Sequence, residues 1–194
     1  MFEPLIPFIE KRLEKHHELY SSKCKGEYVE EILSNALKEA GFGSDWKPDF
    51  NHKPGIDQTT DNGIRIGNKS GTVENDVVSF SGSRLTKHAT LQEKLDFLAI
   101  KHEDYIVCLS TEKEEWERGI KRYYFIVIDR NVLNYHEQEW VETYGERGRL
   151  KDKVNGWKCS CEKYHAKIAK SMSDQLWTTI RLDCCEEIHE ITIR

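Results

Sequence analysis

The stretch PGIDQTTDNGIRIGNKSG, residues 54–71, decides how the chain is read. It holds Pro54-Gly55-Ile56-Asp57, then Asp61-Asn62-Gly63, then the run Ile64-Arg65-Ile66-Gly67-Asn68-Lys69-Ser70-Gly71. Asp, Asn and Gly in sequence form a turn signal, because their short or absent side chains tolerate the positive backbone angles of tight hairpins. A turn at 61–63 folds the two flanking strands back on each other. Asp57 and Lys69, twelve positions apart, then meet at one end of a sheet.

Outward from this hairpin, the elements fall in a definite order. Residues 4–20 read as a helix. Residues 21–43 read as a second, with Val29, Ile32, Leu33, Ala36, Leu37 and Ala40 in one stripe at helical spacing and Gly41 at its stop. The segments 45–60, 63–73 and 76–84 are short, β-rich and cut by Gly, Asn and Asp. Residues 90–102 form a helix, with Thr90 as N-cap and Glu93 at the capping-box position. The apolar runs 104–111 and 122–130 have strand length and read as strands buried on both faces. Beyond Arg130, residues 134–145 and 161–172 read as helical, and 175–194 alternates as a terminal hairpin. The whole is one α/β domain over residues 1–194, with a core of about 26–130 and a C-terminal α/β extension of about 131–194.

Composition sets the outer limits. A chain of 194 residues is long enough to bury one real core. Charged residues make up 32% and aromatics 10%, which excludes a disordered chain. No apolar run approaches the ~20 residues of a membrane span, and residues 1–20 mix acids and bases in place of a signal peptide's basic start and cleavage site. A cytoplasmic protein with no membrane partner is the expectation. The six cysteines are then reduced. Cys159, Cys161, Cys184 and Cys185, with His165 or His189, lack the spacing of common zinc motifs. The net charge is −5, yet residues 147–170 carry eight Lys and Arg against Asp152 and Glu162. Such a face attracts phosphates, and equally it suits a solvated surface.

A carboxylate held against a lysine suits metal-assisted hydrolysis of a phosphodiester. The acid holds Mg²⁺, which takes oxygen ligands and keeps several waters. The metal polarises the phosphate and acidifies the attacking water. The lysine orients that water or offsets charge growing on the phosphate. The plain alternative for Asp57 and Lys69 is a cross-strand ion pair, worth at most ~1 kcal/mol if exposed.

On these residues, Gly55-Ile56-Asp57, a turn, then Ile64-Arg65-Ile66-Gly67-Asn68-Lys69-Ser70-Gly71, the chain resembles the PD-(D/E)xK nuclease superfamily, in particular its type II restriction endonucleases. The resemblance covers roughly residues 26–128 and includes the order of elements. It implies a restriction-endonuclease-like core (helix, mixed β-sheet, helix, strands) with Asp57 as the first acid and Lys69 as the motif lysine. It further implies Mg²⁺, double-stranded DNA as substrate, site-specific cleavage, and a homodimer that cuts both strands. One departure stands out. The family places an acid or amide two residues before the lysine, where this chain has Gly67. Three readings follow: the ligand has moved to the second helix, as Glu30 or Glu27; a kink at Gly67 turns Asn68 inward; or the site is impaired. A DNA-binding protein without cleavage and a structure-selective repair nuclease are the alternatives.

Residues 79–88 are the expected DNA contacts. Ser81 and Ser83, with Ser79, share one strand face, followed by Arg84, Thr86, Lys87 and His88. Small hydroxyls permit close approach, Arg reads guanine through two acceptors, and Lys holds phosphate. The bland reading is a polar strand end before a helix. His16 and His17 read as surface, Glu74 and Asp76 as turn acids, and Trp140 and Trp177 as core or dimer contacts.

Overall fold

Apolar residues on both sides of one sheet organise the chain. This computed structural model describes residues 1–47, 56–146 and 151–193. After a 3₁₀ turn at Glu3–Leu5 come α1 (Ile6–Leu19) and α2 (Glu27–Glu39). Three strands follow, β1 (Gln58–Thr59), β2 (Arg65–Glu74) and β3 (Val77–Arg84), then α3 (Leu91–Ala99). Next are β4 (Tyr105–Glu112), a short α4 (Lys113–Glu117) and β5 (Arg122–Asp129). The rest of the chain is β6 (Val141–Tyr144), β7 (Val154–Ser160), β8 (Tyr164–Ala169), β9 (Gln175–Arg181) and β10 (Glu187–Thr192), with 3₁₀ turns between. All ten strands form one mixed sheet, in the order β10-β5-β4-β2-β3-β9-β8-β7-β6, with β1 pairing β2 alongside. The β2–β4 pair is parallel, and every other named pair is antiparallel.

The α2 stripe packs where its spacing predicts. Val29, Ile32, Leu33, Ala36 and Leu37 are buried against Ile66, Val107, Leu109, Phe125 and Ile191 on one sheet face. Gly41, at φ +82°, stops the helix with a conformation that a side chain disfavours. The opposite face carries a second cluster built on Phe80, Ile106, Cys108, Ile126, Ile128 and Ile180, under α3. The capping box at Thr90 and Glu93 is formed in both directions, at 3.2 and 3.0 Å. β4 and β5 are buried on both faces, as their unbroken apolar runs require.

The structure corrects three readings after Arg130 and one before it. Residues 134–145 hold a 3₁₀ turn (Tyr135–Glu137) and strand β6 where a helix was expected. Residues 161–172 contain β8, also in place of a helix. There Tyr164, Ala166 and Ile168 are buried while His165 and Lys167 are exposed. That period of two is the signature of a strand, and it outweighs the helix propensity of Ala and Lys. Residues 175–181 and 187–192 are both strands but form no hairpin. β9 joins β3 and β8, whereas β10 crosses to the free edge of β5. Alternation fixes which face a strand buries, and it leaves the partner open. Finally, the strand expected over 45–60 is reduced to Gln58–Thr59, and residues 48–55 lie outside the described residues. Among the described residues no helix is long and apolar enough to cross a membrane.

The placement of β10 has a measurable consequence. Ile191 is 2% exposed and packs in the α1–α2 cluster, whereas its neighbour Thr192 is exposed. Ile191→Ala is expected to lower the unfolding free energy by ~2–5 kcal/mol, and Thr192→Ala by less than ~0.5 kcal/mol. Equal small losses in urea titrations of both variants would show β10 detached from the core.

Candidate functional site

The turn at 61–63 forms as its residues dictate. Gly63 takes φ +85°, its N–H donates to the Thr60 carbonyl at 2.9 Å, and Thr60 N–H donates to the Ile64 carbonyl at 2.9 Å. β1 therefore lies antiparallel to β2, with Gln58 opposite Ile66. This hairpin delivers Asp57 to Lys69: the Asp57 Oδ2 to Lys69 Nζ distance is 3.1 Å. Their side chains are 13% and 23% exposed, so the pair is partly shielded from water.

The contact also solves a backbone problem. The β1–β2 ladder reaches only Ile66, and the β2–β3 ladder begins only at Gly71. Between them, no strand among the described residues pairs with Asn68 on this side. Its N–H donates to Asp57 Oδ2 at 2.6 Å, and its carbonyl accepts from Lys69 Nζ at 2.8 Å. The acid and the amine together stand in for the missing strand. Buried backbone groups demand partners, so this arrangement fixes both side chains as firmly as a strand would.

Behind the pair runs a buried polar chain. Asn68 Oδ1 accepts from Gln58 Nε2 at 3.0 Å, Gln58 Oε1 accepts from Ser44 Oγ at 2.9 Å, and Ser44 Oγ accepts from Ser34 Oγ of α2 at 3.0 Å. Gln58 is 1% and Asn68 4% exposed. The Asn68 amide nitrogen is buried and makes no hydrogen bond. Asn68 thus turns away from the Lys69 side chain, as alternation requires, toward α2. On the opposite face, burial pushes the Cys108 thiol well above its ordinary pKa, and the nearby Lys69 ammonium opposes that rise.

The other expected residues are dispersed. Glu30 lies in the first turn of α2, where Oε2 accepts from Trp46 Nε1 at 3.2 Å. Glu27 is exposed and lines a cavity with Tyr28 and Ser70. Among the described residues no group of three or more His, Cys, Asp or Glu is placed to hold a metal ion. Asp57 is joined by neither glutamate in such a group. Pro54, Gly55, Arg147 and Arg149 lie outside the described residues.

The 79–88 segment divides in two. Ser79 and Ser81 sit opposite Thr179 and Trp177 of β9, on the open face of the sheet. A bulge then shifts the register between Ser81 and Arg84, so Ser83 does not continue their row. Arg84, Thr86 and Lys87 are exposed, and Arg84 Nε donates to Gln175 at 3.4 Å. His88 packs on Phe97, with ring centroids 4.8 Å apart. The fully buried Lys94 clamps this loop from beneath, through the carbonyls of Leu85 and His88 and an ion pair to Asp174 at 3.3 Å. Trp140 packs against the core and donates Nε1–H to the Tyr135 carbonyl at 2.7 Å. Trp177, by contrast, is 37% exposed.

Gln58 was invisible to motif reasoning, because a glutamine beside an acid carries no pattern. Its signal lies in the hairpin register: Gln58 opposite Ile66 places it on the buried face next to Asn68. No protein-family model, no curated protein and no solved structure matches the chain.

The buried polar chain and the exposed acid Glu27 differ in expected worth. Gln58→Ala strands the Asn68 side-chain oxygen Oδ1 in the interior and is expected to cost ~1–3 kcal/mol. Glu27→Ala, at an exposed position, is expected to cost less than ~0.5 kcal/mol. Chemical denaturation of the two variants checks the contrast, and a neutral Gln58→Ala would contradict the buried chain.

Proposed function

We propose that the protein is a Mg²⁺-dependent endonuclease of double-stranded DNA, built on a restriction-endonuclease-like core and acting at a specific site as a homodimer. One observation carries the reading: the turn at 61–63 brings Asp57 and Lys69 to 3.1 Å at a gap between strands. The order α2, β1, β2, β3, α3, β4 supports it.

The residues fit a Mg²⁺ ion of the kind held by one or two carboxylates plus substrate phosphates. Asp57 would hold it, and the ion would supply a polarised phosphate and an acidified water. Asp57 is presented by its contact with the Asn68 N–H, which leaves its second oxygen, Oδ1, outside that bond. Lys69 offers a donor that can leave the carboxylate for a phosphate oxygen or the attacking water. A charge-assisted donor already held at the site stabilises developing negative charge without reorganisation. The Asn68 carbonyl keeps Lys69 near the site throughout.

A second reading has its own observation. Gly67 provides no ligand and Glu30 is engaged by Trp46, so Asp57 and Lys69 act structurally in a DNA-binding protein that does not cut.

Incubation with unmethylated plasmid in Mg²⁺ or EDTA, read on a gel, separates the two. The nuclease reading expects discrete fragments in Mg²⁺ alone, with Asp57→Ala and Lys69→Ala each slowed by at least ~10²-fold. Full cleavage by Asp57→Ala would overturn it. Intact plasmid that is nevertheless bound favours the second reading, and cutting gained by Gly67→Glu would identify the lost ligand.

A further inference from the structure

On the sheet face that α1 and α2 cover, one half carries no helix among the described residues. The helices sit over β10, β5, β4 and the start of β2, and their apolar cluster includes no residue of β3, β6, β7, β8 or β9. Across those five strands the face is lined by side chains in register. Ser81 stands opposite Trp177, Trp177 opposite Lys167, and Lys167 opposite Lys158. The adjacent row runs Thr72, Ser79, Thr179, His165, Ser160.

This face is a continuous trough. A cavity of about 290 Å³ between Lys25, Ser70, Ser81 and Trp177 shares Lys25 and Ser70 with one of about 560 Å³ at Tyr20 and Tyr28. On its other side it shares Ser79 and Trp177 with one of about 700 Å³ at Lys158 and Lys167. Those two lysines also line a fourth, of about 800 Å³, that ends at Tyr144. From β2 to β7 the trough spans four strand spacings, about 19 Å.

Three features define what fits it. First, the exposed large aromatics Tyr20, Tyr28, Tyr144 and Trp177 all line this trough. Second, Lys158 and Lys167 face each other directly across adjacent strands, an arrangement that costs stability unless an anion sits between or above them. Lys25, Lys158 and Lys167 make no ion pair among the described residues. Third, the central cavity is lined by hydroxyls, Trp177 and two lysines and by no carboxylate, while Glu27 stands at the Tyr20–Tyr28 end and Glu139, Glu142 and Glu146 at the β6 end. Separated aromatic faces with lysines and hydroxyls between them match a chain of bases joined by phosphates. Bases stack on aromatic rings only when unpaired.

We propose that this trough binds a single strand of DNA, with one base on Trp177 and phosphates on Lys158, Lys167 and Lys25. The proposal rests on the reading of the chain as a DNA-acting protein, and it assigns the unpaired strand to a surface distinct from Asp57 and Lys69.

Fluorescence anisotropy with a labelled oligothymidylate of about 15 nucleotides, in EDTA, tests it on the full chain. The expected result is binding that weakens about five- to a hundredfold in Trp177→Ala. Lys158→Gln/Lys167→Gln should reduce the slope of log affinity against log salt by about 1.4. Asp57→Ala and Lys69→Ala should bind the strand as the parent does, so a parent protein that binds the strand in EDTA and cuts no DNA in Mg²⁺ would count against the nuclease reading alone. Circular dichroism confirms that each variant is folded. Unchanged affinity and salt slope in both trough variants would overturn the proposal, as would no binding of the strand by the parent.

Discussion

On the side of β2 away from β4, no strand among the described residues pairs with Asn68, and the candidate site depends on how that gap is closed. The β1 ladder stops at Ile66 and the β3 ladder starts at Gly71. An edge of this kind would leave a buried N–H and C=O unpaired, at a cost comparable to a lost hydrogen bond each. Asp57 takes the N–H and Lys69 the carbonyl, so a carboxylate and an ammonium are held together by backbone demand. The same contacts that make the pair structurally useful make it chemically preorganised. On the proposed reading chemistry and architecture coincide, because an active site needs side chains whose positions are over-determined by their surroundings.

The remaining architecture secures that gap. α2 packs on the sheet through its apolar stripe and sends Ser34 into the chain that ends at Asn68. β4 runs parallel to β2 over Ile66–Val73, which holds the far side of the strand along its length. Arg65 is pinned to Asp104 by a two-pronged ion pair, and this contact holds the Asp104 carboxyl below its usual pKa. β3, β9, β8 and β7 then extend the sheet away from the helices. Among the described residues no layer packs on their face that continues the helix-covered one, and its side chains are polar in keeping with that.

The sequence was most legible where one local rule sufficed. The turn at 61–63, the α2 stripe and the Thr90–Glu93 box each follow from chemistry within a few residues, and each formed. The meeting of Asp57 and Lys69 followed from the turn. What failed was non-local. β10 pairs β5 across the sheet, 60 or more residues away in the chain by its register with Glu187 opposite Val127, and alternation names no partner. The strand at Tyr164–Ala169 was hidden by helix-forming Ala and Lys, although burial follows its period of two. Ser81, Trp177, Lys167 and Lys158 form one row although they come from four strands, so no window of sequence contains them. The bulge after Ser81 likewise broke a serine row that simple alternation had drawn straight.

The central claim is that Asp57 and Lys69 form a metal-dependent centre and do more than seal a gap in the sheet. Anomalous diffraction from crystals soaked in Mn²⁺ tests it most directly, since Mn²⁺ takes the same oxygen ligands as Mg²⁺. The account predicts a single strong peak bonded to an Asp57 carboxylate oxygen at about 2.1 Å, with Lys69 drawn off that oxygen. An Asp57–Lys69 contact that persists with no metal on Asp57 would contradict it, and would leave the pair as a purely structural rung of the sheet.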